Sequence, residues 1–127
     1  MKVKEDPRLE RISAICLALP EATRELKHEH AAFVVRKKTF GYFLNNHHGD
    51  GIVSFSCKVL PGDNTVLARS DPDRFYLPAY IGPKGWVALR LDVGEVDWEE
   101  VAELAMHSYL RTAPKTLCAR VDQLESI

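Results

Sequence analysis

Several things are scarce in this 127-residue chain, and each scarcity closes off a class of protein. No apolar run approaches the ~18 residues that a membrane-spanning helix needs. The opening Met1-Lys2-Val3-Lys4-Glu5-Asp6 leads into an amphipathic segment, not into the apolar core of an export signal. Cysteines number three, Cys16, Cys57 and Cys118, with no C-x-x-C pair among them. Set singly among apolar neighbours, they are expected as reduced, mostly buried small hydrophobes in a cytoplasmic protein. Neither sign of charge dominates: 17 Lys plus Arg against 18 Asp plus Glu leave a formal net charge of −1. Coating nucleic acid through bulk charge is thereby excluded, and a local basic patch stays open. No G-x-S-x-G, P-loop, dinucleotide-binding fingerprint or H-E-x-x-H occurs, so no residue set asks for an enzyme and none asks for a cofactor.

What is present suits one self-sufficient core. Hydrophobic residues make up 46% and charged residues 28%, the balance of a globular domain. Size scaling gives roughly 6,800 Å² of folded surface against roughly 21,000 Å² extended, so about two-thirds is buried without help from disulfides or metal.

Periodicity supplies the elements. Asp6 can cap a helix opened by Pro7, with Leu9, Ile12, Ile15, Cys16 and Leu19 at helical spacing until Pro20 ends it. Glu21 to Glu29 is polar and reads as mostly irregular. Phe33-Val34-Val35 and Phe40 to Leu44 read as a hairpin around Arg36-Lys37-Lys38. After the turn-rich Asn45 to Gly51, Val53, Phe55, Cys57 and Val59 alternate with Ser54, Ser56 and Lys58, which predicts one packed and one wet face.

Pro61-Gly62 then breaks the sheet, and Asp63-Asn64 can cap a short helix. Tyr76 to Gly82, interrupted by proline, reads as an edge strand or ordered loop. Val87, Leu89 and Leu91 alternate with Trp86, Ala88 and Arg90. Asp97 with Glu100 opens a last long helix whose inner stripe is Val101, Leu104, Ala105 and Ser108, and a short terminal helix carries Leu117, Val121 and Leu124. Repeats, low-complexity tracts and linkers are absent. The expectation is a single domain over residues 1–127, an α+β two-layer sandwich with an antiparallel sheet, helices on one face and the order α-β-β-β-α-β-β-α.

Two sets of residues invite a functional reading. His28 and His30 would share a face of an extended segment, and His47-His48 lie in a loop. Four imidazoles suit zinc, copper or nickel, but H-x-H and H-H lack the paired spacing of zinc modules, so no shared ion is expected. On the sheet, Ser54, Ser56, Lys58, Trp86 and Arg90 should face away from the helices. With Arg36, Lys37 and Lys38 at the hairpin tip, that face offers a basic, partly aromatic patch of the kind that binds single-stranded nucleic acid. The alternative for it is an ordinary solvated surface.

The chain resembles a known family through motifs in matching order over about residues 8 to 121. They are His30-x-x-Phe33-x-Val35 with Lys38-x-Phe40, Asn46-His47-His48-Gly49-Asp50-Gly51, Asp71-Pro72-x-Arg74-Phe75, Pro78-x-Tyr80-x-Gly82-x-x-Gly85-Trp86-Val87, Asp97-Trp98, Ser108-Tyr109 and Ala113-Pro114-Lys115. These are similar to the MmcQ/YjbR family. The resemblance implies a YjbR-like α+β fold of secretion-chaperone-like architecture, and it implies DNA binding as the family's usual label, with no catalytic residues to carry over. The chain departs from the pattern where Arg36-Lys37-Lys38 replaces a glycine-containing turn and where Ala79 stands in place of a second proline.

Within the motif, Arg74, Pro78, Tyr80, Gly82, Gly85 and Trp86 form a candidate ligand loop. Prolines stiffen it, glycines permit close approach, and Tyr80 and Trp86 offer flat surfaces for stacking. A stapled loop whose aromatics merely cover the sheet edge is the competing reading. The function expected is therefore a small non-enzymatic binding module for nucleic acid. A protein- or peptide-interaction module using the open sheet face, or an enzyme using the histidines, stands as the alternative.

Overall fold

The computed structural model describes residues 5–46 and 49–125. Helix α1 (Pro7–Leu17) starts as the sequence predicts, with the Asp6 carboxylate accepting the Arg8 N–H at 2.8 Å and Pro7 in the first turn. Strands β1 (Thr23–Lys27), β2 (His30–Val35), β3 (Lys38–Asn45) and β4 (Val53–Lys58) follow. Helix α2 (Asp63–Ser70), strands β5 (Phe75–Tyr76) and β6 (Trp86–Arg90), and helices α3 (Trp98–Thr112) and α4 (Lys115–Glu125) complete the chain. All strand neighbours are antiparallel, in the order β1-β2-β3-β4-β6-β5. The class is the expected α+β sandwich, with one strand and one helix more than the predicted order.

The added strand is β1. Its Thr23, Glu25, Leu26 and Lys27 are exposed and only Arg24 is half-buried, so no apolar alternation marks it. It pairs with β2 through a two-residue turn at His28-Glu29, and its charges suit an edge that must not recruit another strand. A second difference lies in α2. Gly62, at φ +90°, precedes the helix, and Asn64 does not cap it. The buried Asn64 amide donates instead to Gly82 O at 2.8 Å and Trp86 O at 3.2 Å, tying α2 to the segment before β6. The hairpin tip needs no glycine: Arg36 and Lys37 both adopt left-handed backbone, φ 48° and 67°, between the closing pair Val35 and Lys38.

Register sorts the side chains. Phe33, Phe43, Phe55, Cys57, Val87, Leu89 and Phe75 share the face toward the helices and are buried with Ile12, Cys16, Val101, Ala105, Leu117 and Val121. Gly41 lies on that face between Phe33 and Cys57, and a Cβ there would come within 2.8 Å of the Phe55 ring. The strand needs glycine here for close approach, not for an unusual φ.

One irregularity organises the packing of α3. The β2–β3 register shifts between Phe33 and Val34, and the β3–β4 ladder starts only at Gly41–Cys57. Ser108 of α3 occupies the gap: its Oγ donates to Phe40 O at 2.6 Å and accepts the Lys58 N–H at 2.8 Å. Next to it, Tyr109 meets Phe40 edge-on and donates its hydroxyl to Pro20 O at 2.6 Å, beyond the end of α1. Among the described residues no helix is long and apolar enough to cross a membrane.

Replacing Ser108 with Ala should cost about 1–3 kcal/mol, because it strands one buried donor and one buried acceptor. Urea unfolding measures this, and a loss below ~0.5 kcal/mol would contradict the bridging role. Thiol labelling tests the core. Burial pushes the Cys57 thiol up to about 12 and raises Cys16 further, whereas Cys118 is half-buried. In the native protein Cys118 should react first, with Cys16 and Cys57 reacting only on unfolding.

Candidate functional site

The face of the sheet turned away from the core carries the most distinctive surface. Across the strands one outward row runs Glu25, Ala32, Tyr42, Ser56, Ala88, Tyr76, and the next runs Lys27, His30, Leu44, Ser54, Arg90. Tall Tyr42 and Tyr76 thus flank small Ser56 and Ala88. Three strand spacings separate them, roughly 14 Å.

That face is not wet in the way the alternation predicts. Ser54 and Ser56 are completely buried and Trp86 is 5% exposed. Aromatic rings provide the cover: Tyr42 and Trp86 pack with ring centroids 5.3 Å apart, and the Tyr76 hydroxyl donates to Ser54 Oγ at 2.9 Å. Simple period-two reasoning counts faces and cannot see a loop folding back over one of them. Among the described residues the Ser56 hydroxyl has no hydrogen-bond partner.

Between these rings and the loop after β5 lies a cavity of about 440 Å³, lined by Tyr42, Leu44, Tyr76, Pro78, Tyr80 and Ile81, with Ala79 and Asp50 completing the wall. Tyr80 is 87% exposed and adopts φ +67°, a left-handed conformation unusual for an aromatic residue. A second depression of about 430 Å³ continues past Tyr42 and Leu44 toward Ala32, His30 and Glu25. The two share Tyr42 and Leu44 in their linings and lie side by side along the outer face.

Charge around the groove is uneven. Arg90 is held by both Asp92 oxygens, at 3.0 and 3.2 Å. Burial alone would raise the Asp92 carboxyl, but Arg90 and the Val53 N–H hold it below the usual range. Asp50 accepts the Ile52 N–H at 2.9 Å and makes no ion-pair contact among the described residues. Burial pushes the Tyr76 phenol above its ordinary value, the Ser54 hydrogen bond opposes that, and the Asp50 carboxylate adds to the rise.

The five basic candidates are not gathered together. Arg36 is bonded to Glu21 at 2.8 and 2.9 Å, and Arg90 to Asp92. Lys58 projects on the outer face at the hairpin end with its Nζ 5.6 Å from the Trp86 ring. Arg90 lies four residues away along the strands, about 13 Å. Lys37 and Lys38 are exposed at the tip, without ionic partners among the described residues.

The ligand-loop candidates divide into scaffold and surface. Arg74 clamps Asp71 at 2.6 Å and Glu100 of α3 at 2.7 Å. Gly85, at φ +93°, ends the 3-10 turn Gly82–Lys84, the buried Gly82 supplies its carbonyl to Asn64, and Trp86 is buried. Tyr80 and Pro78 reach the groove. Of the histidines, His28 sits in the β1–β2 turn at φ 56° and His30 lies in β2, where its Nδ1 accepts the Asn45 N–H at 3.1 Å. His47 and His48 lie outside the described residues, among which no three His, Cys, Asp or Glu side chains group as metal ligands.

Sequence reasoning missed Tyr42, Leu44, Tyr76 and Asp50. Only strand register brings the first three to one face, and Asp50 looks like any turn residue. Tyr76→Phe should cost about 0.5–1.5 kcal/mol through loss of the Ser54 bond. The wild-type contribution is full below pH ~10 and is lost as pH rises through the raised folded-state value, so the variant should lack this alkaline decline in a pH series of melts.

Comparison with known proteins agrees with this architecture. A family model described as YjbR matches residues 17–111. The crystal structure of Deinococcus radiodurans protein DR2400, with a DUF419 domain, superposes with a TM-score of 0.64 at 23% identity, over 85% of this chain and 81% of that one. No curated protein matches the chain.

Proposed function

We propose that this chain, which belongs to the YjbR family, is a small non-enzymatic binding module that takes an extended segment of another protein in its outer-face groove. One observation carries the reading: a nearly fully exposed Tyr80, held in left-handed backbone, stands at the rim of a cavity walled by Tyr42, Leu44, Tyr76, Pro78 and Ile81. An exposed ring in a costly conformation gains nothing for the free domain, and a partner that buries it recovers the apolar area. The adjoining depression, past Tyr42 to Ala32, suits a peptide lying across the strands better than a compact ligand. Selection from a random peptide library tests this. Wild-type protein should enrich a defined sequence class whose binding falls at least about tenfold with Tyr80→Ala or Tyr42→Ala, as for an aromatic anchor. No enrichment, or enrichment indifferent to both variants, would rule the groove out.

Nucleic-acid binding remains a second reading because Lys37, Lys38 and Lys58 occupy one end of the sheet and make no ion pair among the described residues, whereas Arg36 and Arg90 are engaged by carboxylates. Burial of Trp86 removes it as a stacking platform, which leaves a site of few phosphate contacts. Changing Lys37 and Lys38 to Glu should then flatten the salt slope of single-strand binding by about one to two units, at roughly 0.7 per contact. Binding that depends on Tyr80 but not on these lysines or on salt favours the peptide.

A further inference from the structure

We infer that the groove is an aromatic cage for an organic cation, filled by a lysine or arginine side chain of the bound peptide segment. The inference rests on the binding reading above and adds the chemistry of recognition. Three tyrosines, Tyr42, Tyr76 and Tyr80, line one cavity of about 440 Å³ together with the Asp50 carboxylate. Each ring presents a face of negative electrostatic potential, which attracts a cation within about 6 Å.

Charge balance selects the sign of the ligand. Arg90 is engaged by two bonds to Asp92 and is not part of the cavity wall. Asp50 keeps one oxygen bonded to the Ile52 N–H and makes no ion-pair contact among the described residues, with Arg90 acting on it only through space. An anion entering the cavity would meet the Asp50 carboxylate on its wall, and a neutral apolar side chain would leave that carboxylate without an ion-pair contact. An ammonium or guanidinium on a long methylene stem satisfies both the rings and the carboxylate.

The probes are N-acetyl-lysine amide and N-acetyl-arginine amide, with N-acetyl-norleucine amide as the neutral control. Binding is followed by NMR shifts of the tyrosine rings in the full chain. Both cations should shift Tyr42, Tyr76 and Tyr80 saturably, with norleucine at least about fivefold weaker. Asp50→Asn and Tyr80→Ala should each weaken the cations about fivefold or more, and both variants should fold because these side chains are exposed. Equal binding of norleucine, indifference to Asp50→Asn, or no cation-induced shift overturns the cage. If library-selected peptides still require Tyr80 in that event, the binding reading stands without it. If neither they nor the amides act at these rings, both readings fall.

Discussion

The hydroxyl of Ser108 does in one place what a strand would otherwise do. A bulge in β3 draws Phe40 out of the regular ladder, leaving its carbonyl and the Lys58 N–H without strand partners. Ser108 Oγ serves both, at 2.6 and 2.8 Å. A hydroxyl can donate and accept at once, and it is short enough to let the helix sit against the backbone. Everything on the core side follows from that close approach. Tyr109, one residue on, is placed to pack against Phe40 and bond Pro20, so the same turn of α3 also fixes the end of α1. Gly41, beside the bulge, admits the Phe55 ring that fills the space beneath.

Committing the helices to one face leaves the other to be managed by the strands and one loop. Ser54, Ser56 and Ala88 are small enough for Tyr42, Tyr76 and Trp86 to close over them, which converts an open sheet into a grooved one. The loop from Tyr76 to Gly85 is held from below. The Asn64 amide binds the Gly82 carbonyl within it and the Trp86 carbonyl just after it, Gly85 turns it back, and the Gly85 carbonyl accepts the Val59 N–H at 3.0 Å. A loop anchored in this way can present Tyr80 rigidly, at a smaller ordering cost on binding than a free segment would carry.

How much of this was legible in the residues depends on whether burial leaves a period. The α1 and α3 caps, the β4 and β6 alternation and the terminal helix were readable because apolar side chains recur at the spacing of their element. Strand β1 was not, since an edge strand of Thr, Arg, Glu, Leu and Lys buries little and so has no pattern to show. The glycine-free turn at Arg36-Lys37 was unreadable for a related reason: its left-handed backbone is imposed by strands that pair on both sides of it. The groove was legible only in part. Tyr80 and Pro78 were visible through the family motif, whereas Tyr42, Leu44 and Tyr76 come together by register across three strands, which pairwise spacing along one chain does not encode.

The same distinction separates anchor from contact within the motif itself. Pro78, Gly82 and Trp86 are buried, and Gly85 and Arg74 make the turn and the ion pairs that hold the loop to α2 and α3. Ala79 and Tyr80 are exposed between them. A run of unusual residues thus contains two functions with opposite demands: some positions must be glycine or proline for the loop to exist, and others are free to face a ligand. Ala79, where a second proline is common in the family pattern, falls in the second group. Its neighbour Tyr80 still takes up left-handed backbone, so the loop's shape is set by the buried residues on either side and not by a proline at its tip. Variation at that tip can therefore change the exposed surface of the groove while the fold beneath it stays the same.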